Sequence, residues 1–189
     1  MKKARILLAD DHAMICAGFQ KLLEPEFEVA GSVGDGRALL KAAAELKPDL
    51  VLVDVGMPLL NGLDAGRELK KSFPGIKIIF LTMNHDTDVA SEALRIGASG
   101  YLLKISQADE LRQAVNNALK GISYVTPQMG HALEQRFIRD PHSLSRRKQL
   151  TADNAEFADT VDAAIRVIGE IRGCSNSLNS YEVRNKPEM

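Results

Sequence analysis

Several residue types are scarce in this chain of 189 residues, and their scarcity narrows the range of possible functions. The chain has no tryptophan, and aromatic residues make up only 5% of the sequence. Its two cysteines, Cys16 and Cys174, stand far apart and match no metal-binding or redox spacing. Buried free thiols are the simplest interpretation of both. The sequence therefore indicates neither a disulfide scaffold nor a cysteine metal site.

The sequence also shows little net charge, no long apolar run and no leader pattern. Its formal charge is -1, which gives no global attraction to nucleic acid or to an anionic membrane. No apolar run approaches the roughly 20 residues of a membrane span. Lys2 and Lys3 precede a short apolar run that Asp10 and Asp11 interrupt, which does not fit a signal peptide. We therefore predict a cytoplasmic protein that does not enter a membrane.

Up to about residue 121, short apolar segments alternate with segments whose apolar residues have helical spacing. Five such pairs follow one another, which predicts an α/β domain with a parallel sheet. The apolar segments contain few polar residues, as expected for strands that helices cover on both faces. The predicted strands are 5–10, 27–33, 49–55, 77–83 and 100–104, and the predicted helices are 12–24, 37–46, 63–71, 88–96 and 108–120.

This alternation stops after Gly121, and the rest of the chain divides into three predicted segments. Residues 122–150 contain two prolines and a basic cluster, and they are predicted to form a linker. Residues 151–173 are predicted to form an amphipathic helix, since Asp153 and Glu156 have the spacing of a capping box. Residues 174–189 are polar, which predicts a disordered tail. The predicted organisation is thus one domain over residues 1–121 with a C-terminal helical tail.

Ionisable and hydroxyl side chains stand where four of the predicted strands end. Asp10 and Asp11 end the first strand, Asp54 the third, Thr82 the fourth and Lys104 the fifth. The carboxyl ends of parallel strands meet at one edge of a sheet, where the sites of open α/β folds form. We therefore expect three carboxylates, one hydroxyl and one ammonium to lie close together.

Three adjacent carboxylates need a compensating cation, or one of them should be protonated. At an effective dielectric constant near 20, two carboxylates about 4 Å apart repel each other by about 4 kcal/mol. Oxygen ligands in an open arrangement suit Mg²⁺, and such an ion beside an acid, a lysine and a threonine is suited to phosphoryl transfer.

Each residue also has a purely structural alternative. Asp10 and Asp11 could cap the first helix, Asp54 could begin a turn, Thr82 could be an ordinary strand residue, and Lys104 could be a solvated charge.

Together with the segments MPLLNG (57–62), LTM (81–83) and YLLK (101–104), these residues closely resemble the receiver domain of bacterial two-component response regulators. The resemblance extends from residue 4 to about residue 121, and LTMNHD and GASGYLLK resemble the NarL/FixJ, LuxR-type subgroup. It implies a flavodoxin-like fold, with a five-stranded parallel sheet in the order 2-1-3-4-5 and helices on both faces. It also implies a signalling protein and not an enzyme, apart from Mg²⁺-dependent self-phosphorylation and slow self-dephosphorylation.

The resemblance implies a role for each residue of the cluster. Asp54 would accept a phosphoryl group from a sensor histidine kinase, and Thr82 and Lys104 would bind that group. Thr82 and Tyr101 would form a switch. The implied Mg²⁺ ligands are the carboxylates of Asp10, Asp11 and Asp54 and the backbone carbonyl of Gly56, and the implied loop-shaping residues are Met57, Pro58 and Gly62.

The chain departs from the subgroup after Leu150-Thr151, where a LuxR-type DNA-binding domain would begin. Residues 151–189 carry 4 basic and 7 acidic side chains and show no basic recognition helix, which disfavours direct DNA binding. Two explanations stay open: a genuine output tail that contacts proteins, or a truncated or frameshifted DNA-binding regulator. Transcription regulation is the expected output of the parent family, and receiver-only signalling is the alternative. A metal-dependent phosphatase is the third possibility, and it would need an acid close behind the nucleophile, where Gly56 stands.

The predicted tail helix carries an apolar stripe with helical spacing, which must be covered. It could pack on the receiver domain, pair with a second copy of the chain or enter a groove of another protein. The second possibility leads us to predict a homodimer. The stripe consists of Phe157, Val161, Ala164, Ile165, Ile168 and Ile171.

Overall fold

The computed structural model describes residues 2–130 and residue 133. In this part of the chain, strands and helices alternate five times, and a short strand follows. The strands are β1 (Arg5–Ala9), β2 (Glu28–Val33), β3 (Leu50–Asp54), β4 (Lys77–Thr82), β5 (Gly100–Leu103) and β6 (Tyr124–Val125). The helices are α1 (Ala13–Leu23), α2 (Gly36–Leu46), α3 (Gly62–Ser72), α4 (Thr87–Arg95) and α5 (Ala108–Leu119).

The six strands form one parallel sheet in the order β2-β1-β3-β4-β5-β6. The predicted order 2-1-3-4-5 is confirmed, but the prediction of five strands is wrong, because β6 pairs with the edge of β5. β6 has only two residues, Tyr124 facing Gly100 and Val125 facing Tyr101. Two residues show no periodicity that a sequence pattern could reveal, and the pair lies in the segment that was predicted as a linker.

The sheet has a layer of core on each face, which explains its apolar strands. All five residues of β3 are buried. Val51 and Val53 pack on the face that α2, α3 and α4 cover, whereas Leu50 and Leu52 pack on the face that α1 and α5 cover. Alternate residues of each central strand therefore enter opposite layers, and both layers exclude water. Cys16 lies in the second layer as a buried free thiol, as predicted.

Short polar side chains cap the starts of three of the five described helices. Asp35, Asn61 and Asp86 each accept a hydrogen bond from a backbone N–H group in the first turn of α2, α3 and α4. α1 and α5 differ, because the side chains of their N-cap residues, His12 and Gln107, make no capping hydrogen bond. The alternative role of Asp10 and Asp11 as simple caps of α1 is therefore wrong.

The core continues beyond Gly121. Val125 packs against the core layer of α2, α3 and α4, and Met129 and Leu133 are buried in it. The proposed boundary at residue 121 stays a prediction, as does the linker over residues 122–150. The amphipathic helix 151–173 with its apolar stripe, the tail 174–189 and Cys174 lie outside the described residues. No helix in the described ranges is long and apolar enough to cross a membrane.

Candidate functional site

The predicted cluster lies at the carboxyl edge of the sheet. β1 ends just before Asp10, β3 ends at Asp54, β4 ends at Thr82 and β5 ends just before Lys104. These four strands are consecutive neighbours in the sheet, so their ends are adjacent. Residues that are up to 94 positions apart in the sequence are thereby brought to one edge.

A buried lysine connects two of the carboxylates. Lys104 Nζ lies 2.8 Å from Asp10 Oδ2 and 2.9 Å from Asp54 Oδ2, and its side chain is 2% exposed. Burial alone would lower the pKa of Lys104, but hydrogen bonds and charge attraction from Asp10 and Asp54 outweigh it, and the pKa stands above its ordinary value. Lys104 is therefore a buried cation at this edge, and the alternative of a solvated charge is wrong.

Four side chains at this edge could hold a metal ion. Asp10, Asp11, His12 and Asp54 each offer one ligand atom, and these atoms all lie within 4.8 Å of one another. Asp10 and Asp54 are buried, whereas Asp11 and His12 are exposed, so the cluster opens to solvent on one side. Its carboxylate oxygens fit a hard divalent cation that keeps some of its water ligands.

His12 was not among the predicted site residues. Its Nδ1 lies 3.1 Å from Asp10 Oδ1 and 2.9 Å from Asp11 Oδ1, and its backbone N–H donates to Asp10 Oδ1 over 2.9 Å. The available signal was its position directly after two acids. That signal is weak, because a residue next to a strand end can point toward or away from the edge.

The loop between β3 and α3 is fixed at both ends beside Asp54. Met57 is buried in the core, whereas Pro58 is exposed. At the other end, a Cβ added to Gly62 would lie 2.0 Å from the backbone oxygen of Asp54, so only glycine lets α3 begin here. A Cβ on Gly56 would lie 3.7 Å from Asp54 Oδ2, which places Gly56 directly beside the carboxylate.

Thr82 and Tyr101 lie on neighbouring strands next to this cluster. Thr82 is buried, and its hydroxyl oxygen accepts a hydrogen bond from the backbone N–H of Asn84 over 3.1 Å. Tyr101 is fully buried, and its hydroxyl has no hydrogen-bond partner among the described residues. Burial raises the pKa of the Tyr101 phenol to about 12, although the neighbouring Thr82 acts in the opposite direction. Tyr101 is therefore held as a neutral phenol inside the fold.

A parallel, doubly wound sheet with an acidic cluster and a buried lysine at its carboxyl edge defines a class of α/β protein whose site could hold a metal ion. The chain belongs to the response regulator receiver domain family, whose model matches residues 6–116. Response regulators, the proteins that contain this domain, are signalling proteins and not classical enzymes.

Three similar proteins support this assignment. Over 72% of its length the chain is 36% identical to the transcriptional regulatory protein DegU of Brevibacillus brevis, and the match spans 59% of that protein. Over 98% of its length it is 36% identical to the oxygen regulatory protein NreC of Staphylococcus haemolyticus (strain JCSC1435), of which it covers 94%. A solved LuxR-family response regulator from Aurantimonas sp. SI85-9A1 is 29% identical, with a TM-score of 0.70 over 73% of this chain and 100% of that one. The predicted fold class and subgroup are confirmed.

Proposed function

We propose that the chain is a phosphoacceptor response regulator in which Asp54 takes a phosphoryl group from a sensor histidine kinase. One observation carries this proposal: Asp54 lies at a strand end, 5% exposed, with the Lys104 ammonium 2.9 Å from its Oδ2. A carboxylate that only stabilised the fold would not need a buried cation and two further acids at an edge that opens to solvent. This constellation suits a nucleophile that meets a phosphorylated partner.

The charges of the site residues indicate how the phosphoryl group would be transferred to Asp54. An Asp54 oxygen attacks the phosphorus, the bond between phosphorus and the kinase imidazole breaks, and an acyl phosphate forms. Lys104 and the Thr82 hydroxyl would stabilise the charge on the transferred oxygens. Mg²⁺ would be held by Asp10, Asp11, Asp54 and the carbonyl of Gly56, and when bound it neutralises phosphoryl charge. The same site would support self-phosphorylation and slow self-dephosphorylation.

The proposed kinase would dock on the loops around this edge. Four large apolar side chains are exposed there, each following a different strand, and an apolar ring around a charged centre fits a partner that must exclude water from the reaction. The four residues are Met14, Leu59, Met83 and Ile105.

The proposed switch consists of Thr82, Tyr101 and the start of α4. Phosphorylation adds about 1.5 to 2 negative charges. Two charge-assisted hydrogen bonds, worth roughly 1.5–3 kcal/mol each, would supply about 3–6 kcal/mol. Moving a two-state equilibrium from 1:99 to 99:1 needs about 5.5 kcal/mol. Since the Thr82 hydroxyl now binds the Asn84 N–H, turning it toward a phosphoryl group would release the loop before α4.

We infer transcription regulation as the output, in a cytoplasmic homodimer. Two observations support this output: the similar protein DegU is a transcriptional regulatory protein, and the chain aligns with nearly all of NreC. A receiver that acts through protein contacts alone is the second candidate, because residues 151–189 carry more acidic than basic side chains and their sequence lacks the basic pattern of a recognition helix. A gel-shift assay with promoter DNA bound by a related regulator, run with phosphorylated and unphosphorylated protein, distinguishes the two candidates. A shift supports transcription regulation, and its absence supports action through protein contacts alone. Gel filtration of the same samples tests the homodimer.

Labelling with radioactive acetyl phosphate in the presence of Mg²⁺ tests the phosphoacceptor role. We expect Asp54→Asn to take up no label, because an amide does not act as the nucleophile. Asp109→Asn is a matched control at an exposed position on α5, and it should label like the wild type. A chelator should abolish labelling of the wild type. Undiminished labelling of the Asp54→Asn variant would contradict the proposal.

A further inference from the structure

Besides the buried side chain of Lys104, four polar or charged residues in the described part of the chain are buried as whole residues: Asp10, Asp54, Thr82 and Thr126. The first three belong to the candidate site. Thr126 is 2% exposed and lies directly after β6, outside residues 6–116 that match the receiver family. A buried hydroxyl needs hydrogen-bond partners, and those of Thr126 point to its role.

Thr126 ends the pairing between β6 and β5 in an unusual way. Its backbone N–H donates to the Tyr101 carbonyl over 3.0 Å, as in a regular parallel ladder. In such a ladder the Thr126 carbonyl would next accept from the Leu103 N–H. That carbonyl instead accepts from the N–H groups of Met129 and Gly130, over 2.9 and 3.0 Å. The chain has already turned away from the sheet at this point.

The Thr126 hydroxyl takes over the missing bond. Its Oγ1 accepts from the Leu103 N–H over 3.2 Å, and it lies 3.5 Å from Ser106 Oγ. One side chain thus extends the sheet edge by one hydrogen bond. Without it, the Leu103 N–H would be buried and unpaired, which is costly.

This bond holds the backbone that carries Lys104. On the other side of β5, the Lys104 N–H donates to the Thr82 carbonyl over 2.7 Å. The end of β5 is therefore fixed between Thr126 and Thr82. A lysine side chain has many rotamers, so the position of its ammonium depends on the position of its backbone. The distances of 2.8 Å to Asp10 Oδ2 and 2.9 Å to Asp54 Oδ2 are therefore kept only if the backbone of Lys104 is fixed.

We propose that Thr126 is a positioning residue for phosphoryl transfer: its hydroxyl fixes the end of β5 and thereby holds the Lys104 ammonium between Asp10 and Asp54. Thr126 touches none of the reacting groups and acts through Lys104. The proposal rests on the proposed function, since Lys104 needs this placement only if Asp54 accepts a phosphoryl group.

Two variants of the full chain separate the hydroxyl from the shape of the side chain. Thr126→Val keeps the shape and removes the acceptor, whereas Thr126→Ser keeps the acceptor. We expect Thr126→Val to be labelled by acetyl phosphate between about tenfold and about 100-fold more slowly, the range for a misplaced reacting group. Thr126→Ser should be labelled close to the wild-type rate. In a Lys104→Ala background, Thr126→Val should cause no further loss, because the group that it positions is gone.

Three results would overturn the proposal: wild-type rates for Thr126→Val, equal losses for both Thr126 variants, or a further loss in the Lys104→Ala background. If Thr126→Val does not fold, hydrogen exchange of the wild type decides the matter. A Leu103 amide that exchanges as fast as an exposed amide rejects the proposal, and a protected one supports it. Absence of label on the wild type would instead reject the proposed function, which is a separate outcome.

Discussion

Lys104 shows how a single residue defines this site. Lysine is rarely buried, because its ammonium loses its hydration. Here the loss is offset by Asp10 and Asp54, which hydrogen-bond the ammonium and raise its pKa above the ordinary 10.5 despite burial. A group with a raised folded-state pKa contributes stability below its unfolded pKa, and this contribution is lost as the pH rises through the folded value. Lys104 therefore contributes to the stability of the fold at neutral pH, and this contribution is lost in alkali.

Tyr101 allows a more specific prediction, again of a free energy of unfolding that falls as the pH rises. Its phenol has a pKa of about 12 in the fold, mainly because of burial, against 10.0 in the unfolded chain. Between pH 10 and pH 12 the unfolded chain has lost this proton and the folded chain has kept it, so the free energy of unfolding falls as pH rises. We expect Tyr101→Phe to reduce this slope by up to about 1.4 kcal/mol per pH unit. Urea unfolding at several alkaline pH values measures it.

Tyr124 is the matched comparison for that experiment. Burial and the nearby Glu110 raise the pKa of its phenol to about 12 as well. Tyr124→Phe should therefore flatten the alkaline slope in the same direction, and the double variant should flatten it further. A slope that neither substitution changes would show that both phenols ionise alike in the folded and unfolded chains.

At the scale of the elements, the passage from β3 to α3 does most to shape the site. β3 ends at Asp54, and α3 begins at Gly62 after the cap Asn61, whose side chain accepts from the Asp64 N–H over 2.9 Å. The Gly62 N–H donates to the Val55 carbonyl over 3.0 Å, so the helix starts directly against the end of the strand. Any side chain at Gly62 would push these two elements apart.

Gly62→Ala should therefore disturb both the fold and the site. The new Cβ would lie 2.0 Å from the Asp54 backbone oxygen, and we expect a loss of at least about 1–3 kcal/mol, the usual range for overpacking. Labelling of Asp54 should also slow, because its backbone must move. Gly18→Ala in α1 is the control: apart from neighbouring residues and the backbone of its own helix, no atom lies within 4 Å of the new Cβ, and the change should stabilise by about 1 kcal/mol. Urea unfolding and acetyl phosphate labelling compare the two variants. Equal behaviour would contradict the steric explanation.

The elements also show what the sequence could and could not predict. Strands such as β3 were predictable because burial on both faces demands continuous apolar residues, and their ends brought Asp10, Asp54 and Lys104 together. Helix starts were missed by one residue at Gly36, Gly62 and Thr87, where a polar cap and not periodicity sets the boundary. β6 and Thr126 could not be predicted, since their structure comes from pairing with β5 and not from a local pattern.

For the whole molecule, the described sheet and core extend further along the chain than the family match. The match ends at residue 116, yet β6 closes one sheet edge, and Met129 and Leu133 are 0% and 6% exposed. The same segment contains Thr126, which fixes the end of β5. The described residues of this segment therefore contribute to the core and, through Thr126, to the candidate site.

Truncation tests this extension. A chain that ends at Gly121 lacks β6, Thr126 and the side chains of Met129 and Leu133, whereas a chain that ends at Glu134 keeps them. Loss of a buried leucine or methionine side chain usually removes about 2–5 kcal/mol, so losing two should remove at least about 4 kcal/mol. Typical domains have only about 5–15 kcal/mol in total. We expect the shorter chain to be unfolded or barely stable.

Urea unfolding followed by circular dichroism compares the two truncated chains with the full chain. Met129→Ala and Leu133→Ala in the full chain are the controls, and each should lower the unfolding free energy by about 2–5 kcal/mol if its side chain is packed in the core. Equal stability of the two truncated chains would mean that the receiver domain ends at residue 121 and that β6 is peripheral. A large difference would instead place the C-terminal boundary of the folding unit beyond Leu133. The segment that leads to the output region would then be part of the domain that receives the signal, so changes at the end of β5 would reach it through direct contacts.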